Sequence, residues 1–273
     1  MQRLALALYS LALWLAQPLL LRKLRRRART EPGYAVAVPE RFGRYPALPP
    51  MDGQGGPLVW IHAVSLGETR AAAILLKELR AQLPGMRLLL THGTATGRAE
   101  GEKLLQPGDV QVWQPWDTPG AVRRFLRRFR PAMGILMETE IWPNLVAGCR
   151  AARVPLVLAN ARLNEKSRAG ARRLAWLSRP AYAGLAAAWA QTGQDAERLR
   201  DVGARVAGVF GNLKFDALPS AAQQAQGRAW REAGDRPVVL LASTREGEEA
   251  MWLEVLRQKW PLAPAGQSQV AIE

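Results

Sequence analysis

The chain has 273 residues, with 38 lysines and arginines against 23 acids, two histidines and one cysteine. That length holds one large domain or two small ones. The lone cysteine excludes an intrachain disulfide, and so few histidines and cysteines leave no zinc-type cluster. A formal charge of +15 favours anionic partners: lipid, phosphorylated substrate or nucleic acid.

The distribution of charge narrows that choice. Residues 1–44 carry nine basic side chains and two acids, an excess of +7. This excess adjoins Leu4–Leu21, LALALYSLALWLAQPLLL, a run without a charge. Such a run reaches the short end of the roughly 17–25 residues that cross a bilayer core as a helix. The basic stretch RKLRRRAR follows the apolar run, the reverse of a cleaved signal peptide. By the positive-inside rule that flank stays cytoplasmic. Residues 1–30 are therefore expected to form a membrane anchor with its basic flank, leaving the remainder at the cytoplasmic face. Gln17 and Pro18 weaken a full crossing and leave an interfacial helix as the alternative.

Residues 31–57 read as a linker, dense in Pro and Gly from 45 onward (YPALPPMDGQGGP). Beyond it, short apolar runs alternate with amphipathic stretches. Strands are expected at 58–63, 86–91, 110–113, 133–137, 155–160, 187–191, 205–209 and 237–242. Helices are expected near 68–83, 97–106, 118–130, 142–153, 165–186, 193–202, 219–233 and 246–259. This alternation predicts parallel strands joined by helical crossovers, the doubly wound α/β class. Within 118–130, Val122, Phe125, Leu126 and Phe129 share one face, and Arg123, Arg124, Arg127 and Arg128 share the other. The basic face is either solvated or turned toward anionic headgroups. Cys149, in the apolar context VAGC, reads as a packing residue.

In open parallel sheets, ligands bind in the loops after the carboxyl ends of strands. Those loops here are HAVSLGET, THGTATG, METEIWPN, ANARL and GNLKFD. Glu68 and Thr69 sit at an expected helix start, where a carboxylate also favours the macrodipole for structural reasons alone. Glu138 and Glu140 flank Thr139 after a strongly apolar strand, and burial there would suit a carboxyl to proton transfer. Lys214 follows a turn, Gly211-Asn212-Leu213, able to present an ammonium to a phosphate. His62 reads as a satisfied core histidine. Neither GxGxxG nor a P-loop occurs, and no aromatic platform supports nucleic-acid binding.

The ordered motifs ERFG (Glu40–Gly43), IHAVSLGET, PWDTPGAVRRFLRRFRP, METEIWPNL, LANARL, GNLKFD and ASTREGEE (Ala242–Glu249) resemble the 3-deoxy-D-manno-octulosonic acid (Kdo) transferases of Gram-negative lipopolysaccharide synthesis. The resemblance runs from the N-terminal anchor to about residue 260. It implies the two-domain GT-B fold: 58–233 would be an acceptor-binding Rossmann-like domain, and 234–273 the beginning of a nucleotide-sugar-binding domain. It implies transfer of Kdo from CMP-Kdo to a lipid A precursor, lipid IVA, at the cytoplasmic face of the inner membrane. No cofactor and no metal enter that scheme. By motif, Glu68 would be the proton acceptor, and Glu138 and Lys214 would stabilise the transition state. Ser65, Gly67, Thr94, Thr96, Asn160, Arg162 and Asn212 are candidates for contact with the acceptor.

Two departures accompany the resemblance. The loop THGTATG differs mildly from the family's TTMTPTG-like sequence. The PRHP and GGHN-type motifs that bind CMP do not occur, and the tail PLAPAGQSQVAIE matches nothing expected there. The chain is therefore expected to be truncated and inactive by itself. The rival expectation is a non-catalytic module that binds anionic lipid.

Overall fold

Runs such as LVWIH at Leu58–His62 and LVLANA at Leu156–Ala161 are apolar on both faces, so helices must cover both sides of the sheet they form. The computed structural model describes residues 2–46, 56–234 and 238–259. It opens with α1 (Gln2–Ala28), followed by short 3-10 turns at Pro32–Ala35 and Val38–Phe42. Then come β1 (Leu58–His62), α2 (Leu66–Gln82), β2 (Arg87–His92), α3 (Ala95–Glu102), β3 (Val110–Trp113) and α4 (Pro119–Phe129). The next elements are β4 (Met133–Met137), α5 (Pro143–Ala151), β5 (Leu156–Ala161), α6 (Glu165–Arg173) and α7 (Ala175–Ala183). The domain ends with β6 (Ala187–Ala190), α8 (Gly193–Asp201), β7 (Val206–Val209) and a 3-10 turn at Leu213–Asp216.

All seven strands are parallel, in the order β3-β2-β1-β4-β5-β6-β7. The chain works outward from β1 to β3, then returns to place β4 on the other side of β1. The order therefore reverses between β1 and β4, and a crevice opens at such a switch point. Alternate residues feed two cores. Trp60, Leu89, Leu136 and Leu158 meet Phe125, Leu126, Leu145 and Cys149 on one face. Val59, Ile61, Leu88, Leu90 and Met137 meet Ala72 and Leu76 on the other. Each large side chain buried this way contributes about 1.5–3 kcal/mol. Trp60 also donates its indole N–H to Thr91 Oγ1 at 2.8 Å and meets Phe125 edge-on at 4.9 Å.

The expected strands lie within a residue or so of the observed ones through β7. The run expected as one helix over 165–186 is two, because Leu174 leaves the helical region at φ −108°, ψ 33°. Ser178 Oγ then takes up carbonyls loosened by the break, donating to Ala171 O at 2.5 Å and Leu174 O at 3.1 Å.

The segment before β1 is built into the domain. Tyr34, Glu40 and Arg41 are buried. Glu40 Oε2 accepts from the Trp113 N–H at 2.8 Å and from Arg98 Nη1 at 2.9 Å. Arg124, one of the four arginines on the basic face of α4, donates through Nε to Phe42 O at 3.0 Å, so part of that face is structural. Gly43 has φ +71°, and an added Cβ would lie 2.5 Å from Ala121 O. Gly43→Ala is thus expected to cost about 1–3 kcal/mol, read from urea unfolding midpoints. Residues 47–55 of the expected linker lie outside the described residues.

Helix α1 is long and apolar enough to cross a membrane by length and composition. One face nevertheless docks on the domain. Ala5 and Leu24 are buried, Ser10 Oγ donates to Asn144 Oδ1 at 3.0 Å, and the Tyr9 hydroxyl bonds Asp117. Leu4, Leu8, Leu11, Leu15 and Leu19 recur at helical spacing on the exposed side with Trp14.

Two compact units divide the chain, Met1–Ala217 and Leu218–Glu273. The described part of the second contains α9 (Ala221–Glu232) and α10 (Glu248–Lys259). The expected strand at 237–242 is absent over 238–242, and Pro237 lies outside the described residues. Val238, Val239 and Leu240 are exposed, with no strand of this unit among the described residues to pair their backbone.

Candidate functional site

The turn from β1 into α2 reads Ser65-Leu66-Gly67-Glu68, a capping box. Ser65 Oγ accepts the Glu68 N–H at 3.3 Å and donates to Glu68 Oε1 at 2.9 Å, while Glu68 Oε2 accepts the Val64 N–H at 2.9 Å. The carboxylate is therefore clamped at the crevice between β1 and β4. Thr94 fixes the next loop, donating to Val64 O at 2.8 Å and capping α3 through the Gly97 N–H at 3.1 Å. Thr96 lies 3.4 Å from the Thr94 hydroxyl. Gly67 occupies the first turn of α2, where an added Cβ would meet nothing closer than 4.0 Å.

Glu138 follows β4 directly, with φ +58°, a left-handed conformation uncommon outside glycine. Its N–H stays tied to Ala159 O at 3.0 Å, and its buried carboxylate accepts from Lys214 Nζ at 3.0 Å. Lys214 is delivered by the 3-10 turn after β7, and two asparagines shape that turn. Asn160 Oδ1 accepts the Leu213 N–H at 3.1 Å, and Asn212 Oδ1 accepts the Lys214 N–H at 3.0 Å. Asn160, itself at φ +52°, donates to Asn212 Oδ1 at 3.4 Å. These two side chains thus position Lys214, a task their loop motifs do not announce. Arg162 is exposed, its backbone N–H reaching Glu138 O at 3.3 Å.

The first, fourth and seventh strands thus bring Glu68, Glu138 and Lys214 into one electrostatic cluster. Burial pushes the Glu68 carboxyl above its ordinary value. The Val64 N–H and the Ser65 hydroxyl oppose that, the Glu138 charge adds to it, and the Lys214 ammonium reduces it. Glu140 joins the group: burial and then the Glu68 charge raise its pKa, while it accepts from Trp142 Nε1 at 2.9 Å. A carboxylate with a raised pKa beside a cation can take a proton from a hydroxyl and leave positive charge nearby for a developing anion.

His62 is a satisfied core residue. Its Nδ1 lies 2.9 Å from Thr91 Oγ1, and burial lowers its pKa to about 3. His92 is buried likewise, with Nε2 2.9 Å from Gln111 Oε1 and its pKa lowered to about 4. Burial pushes the packed Cys149 thiol up to about 12. Among the described residues no group of three or more His, Cys, Asp or Glu is placed to hold a metal.

The family described as 3-deoxy-D-manno-octulosonic-acid transferase (kdotransferase) matches residues 37–217. A Bordetella pertussis protein named 3-deoxy-D-manno-octulosonic acid transferase is 48% identical over 260 residues, covering 91% of this chain and 58% of that protein. A Haemophilus influenzae protein of the same name is 30% identical over 271 residues, covering 93% and 60%. The chain thus spans less than two thirds of the length of these relatives. Among solved structures, Phytolacca americana UGT2 complexed with UDP-2fluoro-glucose and pterostilbene is similar over 73% of this chain and 63% of its own, at 11% identity and a TM-score of 0.42. On the match over 37–217 and the identity to the Bordetella protein, the chain belongs to the 3-deoxy-D-manno-octulosonic-acid transferase family.

Proposed function

We propose that this chain supplies the acceptor-side chemistry for moving Kdo from CMP-Kdo to the glucosamine disaccharide of a lipid A precursor, lipid IVA. The observation that carries this reading is the convergence of Glu68, Glu138 and Lys214 at the β1/β4 switch point. In the reaction, an acceptor hydroxyl oxygen bonds to the anomeric carbon of Kdo while the bond from that carbon to the CMP phosphate oxygen breaks. Glu68 takes the hydroxyl proton. The Lys214 ammonium, held by Glu138, offsets charge developing on the departing phosphate.

Helix α1 supports a place at the cytoplasmic face of the bacterial inner membrane. Because it docks along the domain and exposes one apolar side, the interfacial arrangement suits it better than a crossing. Its last turns carry Arg25, Arg26 and Arg27, matched to anionic headgroups.

The test is transfer of labelled Kdo from CMP-Kdo to lipid IVA by membranes carrying the protein. Lys214→Met is expected to lower turnover about 10²–10³-fold, the scale of losing one charge-stabilising donor. Lipid binding that persists with no transfer by the wild-type protein would favour the non-catalytic lipid-binding module.

A further inference from the structure

Next to the Glu68 cluster, α1 roofs a cavity of about 370 Å³. Val64, whose N–H binds Glu68, lines it, so the cavity adjoins the proposed base. Leu13, Leu20 and Leu24 of α1 give it an apolar side, and Lys23, Arg27 and Arg41 give it a cationic one.

Arg41 is the unusual member. It is only 6% exposed, its guanidinium lies 4.0 Å over the Trp113 ring, and its Nε and Nη2 have no hydrogen-bond partner. The neighbouring carboxylate, Glu40, is committed to Arg98 and to the Trp113 N–H. Among the described residues neither Lys23 nor Arg27 forms an ion pair. Two acids also line the cavity, but both are engaged: Asp117 by the N–H groups of Asn144 and Leu145, Glu140 by Trp142. Buried donors in folded proteins are nearly always satisfied, and a buried charge most of all. Planar guanidinium donors match phosphate oxygens, and flanking lysine and arginine raise the local anion concentration.

We propose that this cavity is the subsite for a phosphate monoester of the acceptor glycolipid, held by Arg41 with Lys23 and Arg27. The apolar side then faces the lipid portion of the same molecule. This inference rests on the acceptor reading given above, and it makes α1 part of the binding site as well as a membrane contact.

The experiment is equilibrium binding to the full chain in neutral phosphatidylcholine nanodiscs. The probes are a bis-phosphorylated glucosamine disaccharide lipid and its phosphatase-treated form. The phosphorylated lipid is expected to bind at least about tenfold tighter, the scale of one charge-assisted contact. Arg41→Gln, and separately the exposed pair Lys23→Gln with Arg27→Gln, should abolish that preference without changing affinity for the dephosphorylated lipid. The α1 pair carries the test if Arg41→Gln fails to fold. Equal binding of both lipids by the wild-type chain, or a preference surviving in the folded variants, overturns the subsite and leaves the transferase reading intact. Competition by inorganic phosphate or phosphatidylglycerol as strong as by the glycolipid overturns the acceptor as the source of the phosphate. Wild-type binding of neither lipid above empty discs removes the acceptor reading itself, and the subsite with it.

Discussion

Glu68→Gln is expected to reduce Kdo transfer by about 10²–10⁴-fold, the usual contribution of a positioned general base. Glutamine also completes a capping box, so the start of α2 should survive and the melting temperature should barely move. Activity and stability therefore separate in this variant, whereas Glu68→Ala would lose both the base and the clamp on Val64 and Ser65. Transfer kinetics beside a thermal melt make the distinction. Near-normal turnover in folded Glu68→Gln would eliminate this residue as the base. The pH profile adds a signed check. A general base at Glu68 would work ionised, and burial raises that carboxyl's pKa, so kcat/KM should fall on the acid side at a pH above the ordinary 4.5. Lys214 favours the ionised form, so in Lys214→Met the acid limb should move to still higher pH.

Glu40→Ala is expected to be the most damaging single change to stability away from the sheet itself. The buried carboxylate joins three segments: its own turn, the Arg98 side chain on α3 and the Trp113 N–H on β3. Removing it strands Arg98, whose side chain is only 16% exposed, and leaves a buried N–H unmet. Breaking a buried ion pair from one side costs about 3–5 kcal/mol. Urea denaturation would show it as a drop in midpoint at unchanged m-value. A loss below about 1 kcal/mol would mean that the pair behaves like a solvent-exposed one.

Much of this architecture was legible because each strand is a short apolar run between helical patterns, and β1 to β7 follow from that alternation. The eighth expected strand shows the limit: VVLLA has strand composition, yet a strand exists only with a partner for its backbone. Helix α1 shows another. Both its faces are apolar, so periodicity could not reveal that Ala5, Ser10 and Leu24 face protein while Leu8, Leu11 and Leu15 face outward. At the site, loop position and motif pointed to Glu68, Glu138 and Lys214. They did not separate the asparagines that build the Lys214 turn from residues free to meet a ligand, because that depends on hydrogen bonds between loops 52 or 53 residues apart. Arg41 is inconspicuous in the sequence for a related reason. It sits in a segment rich in turns, and only the tertiary stacking on Trp113 shows it to be buried. The left-handed backbone of Glu138 has no trace in the sequence at all.

The docking of α1 also bears on how this protein can be prepared. A detergent-free version made by cutting away Gln2–Ala28 would take Leu6 and Ala7 from the wall of a cavity that Val122, Leu126 and Ala147 also line. It would take the tyrosine from Asp117 and the serine from Asn144, and it would remove two of the three cations around Arg41's cavity. Rate constants from such a trimmed enzyme would describe a receptor with one wall torn out, and substrate selectivity is where the damage should first be felt.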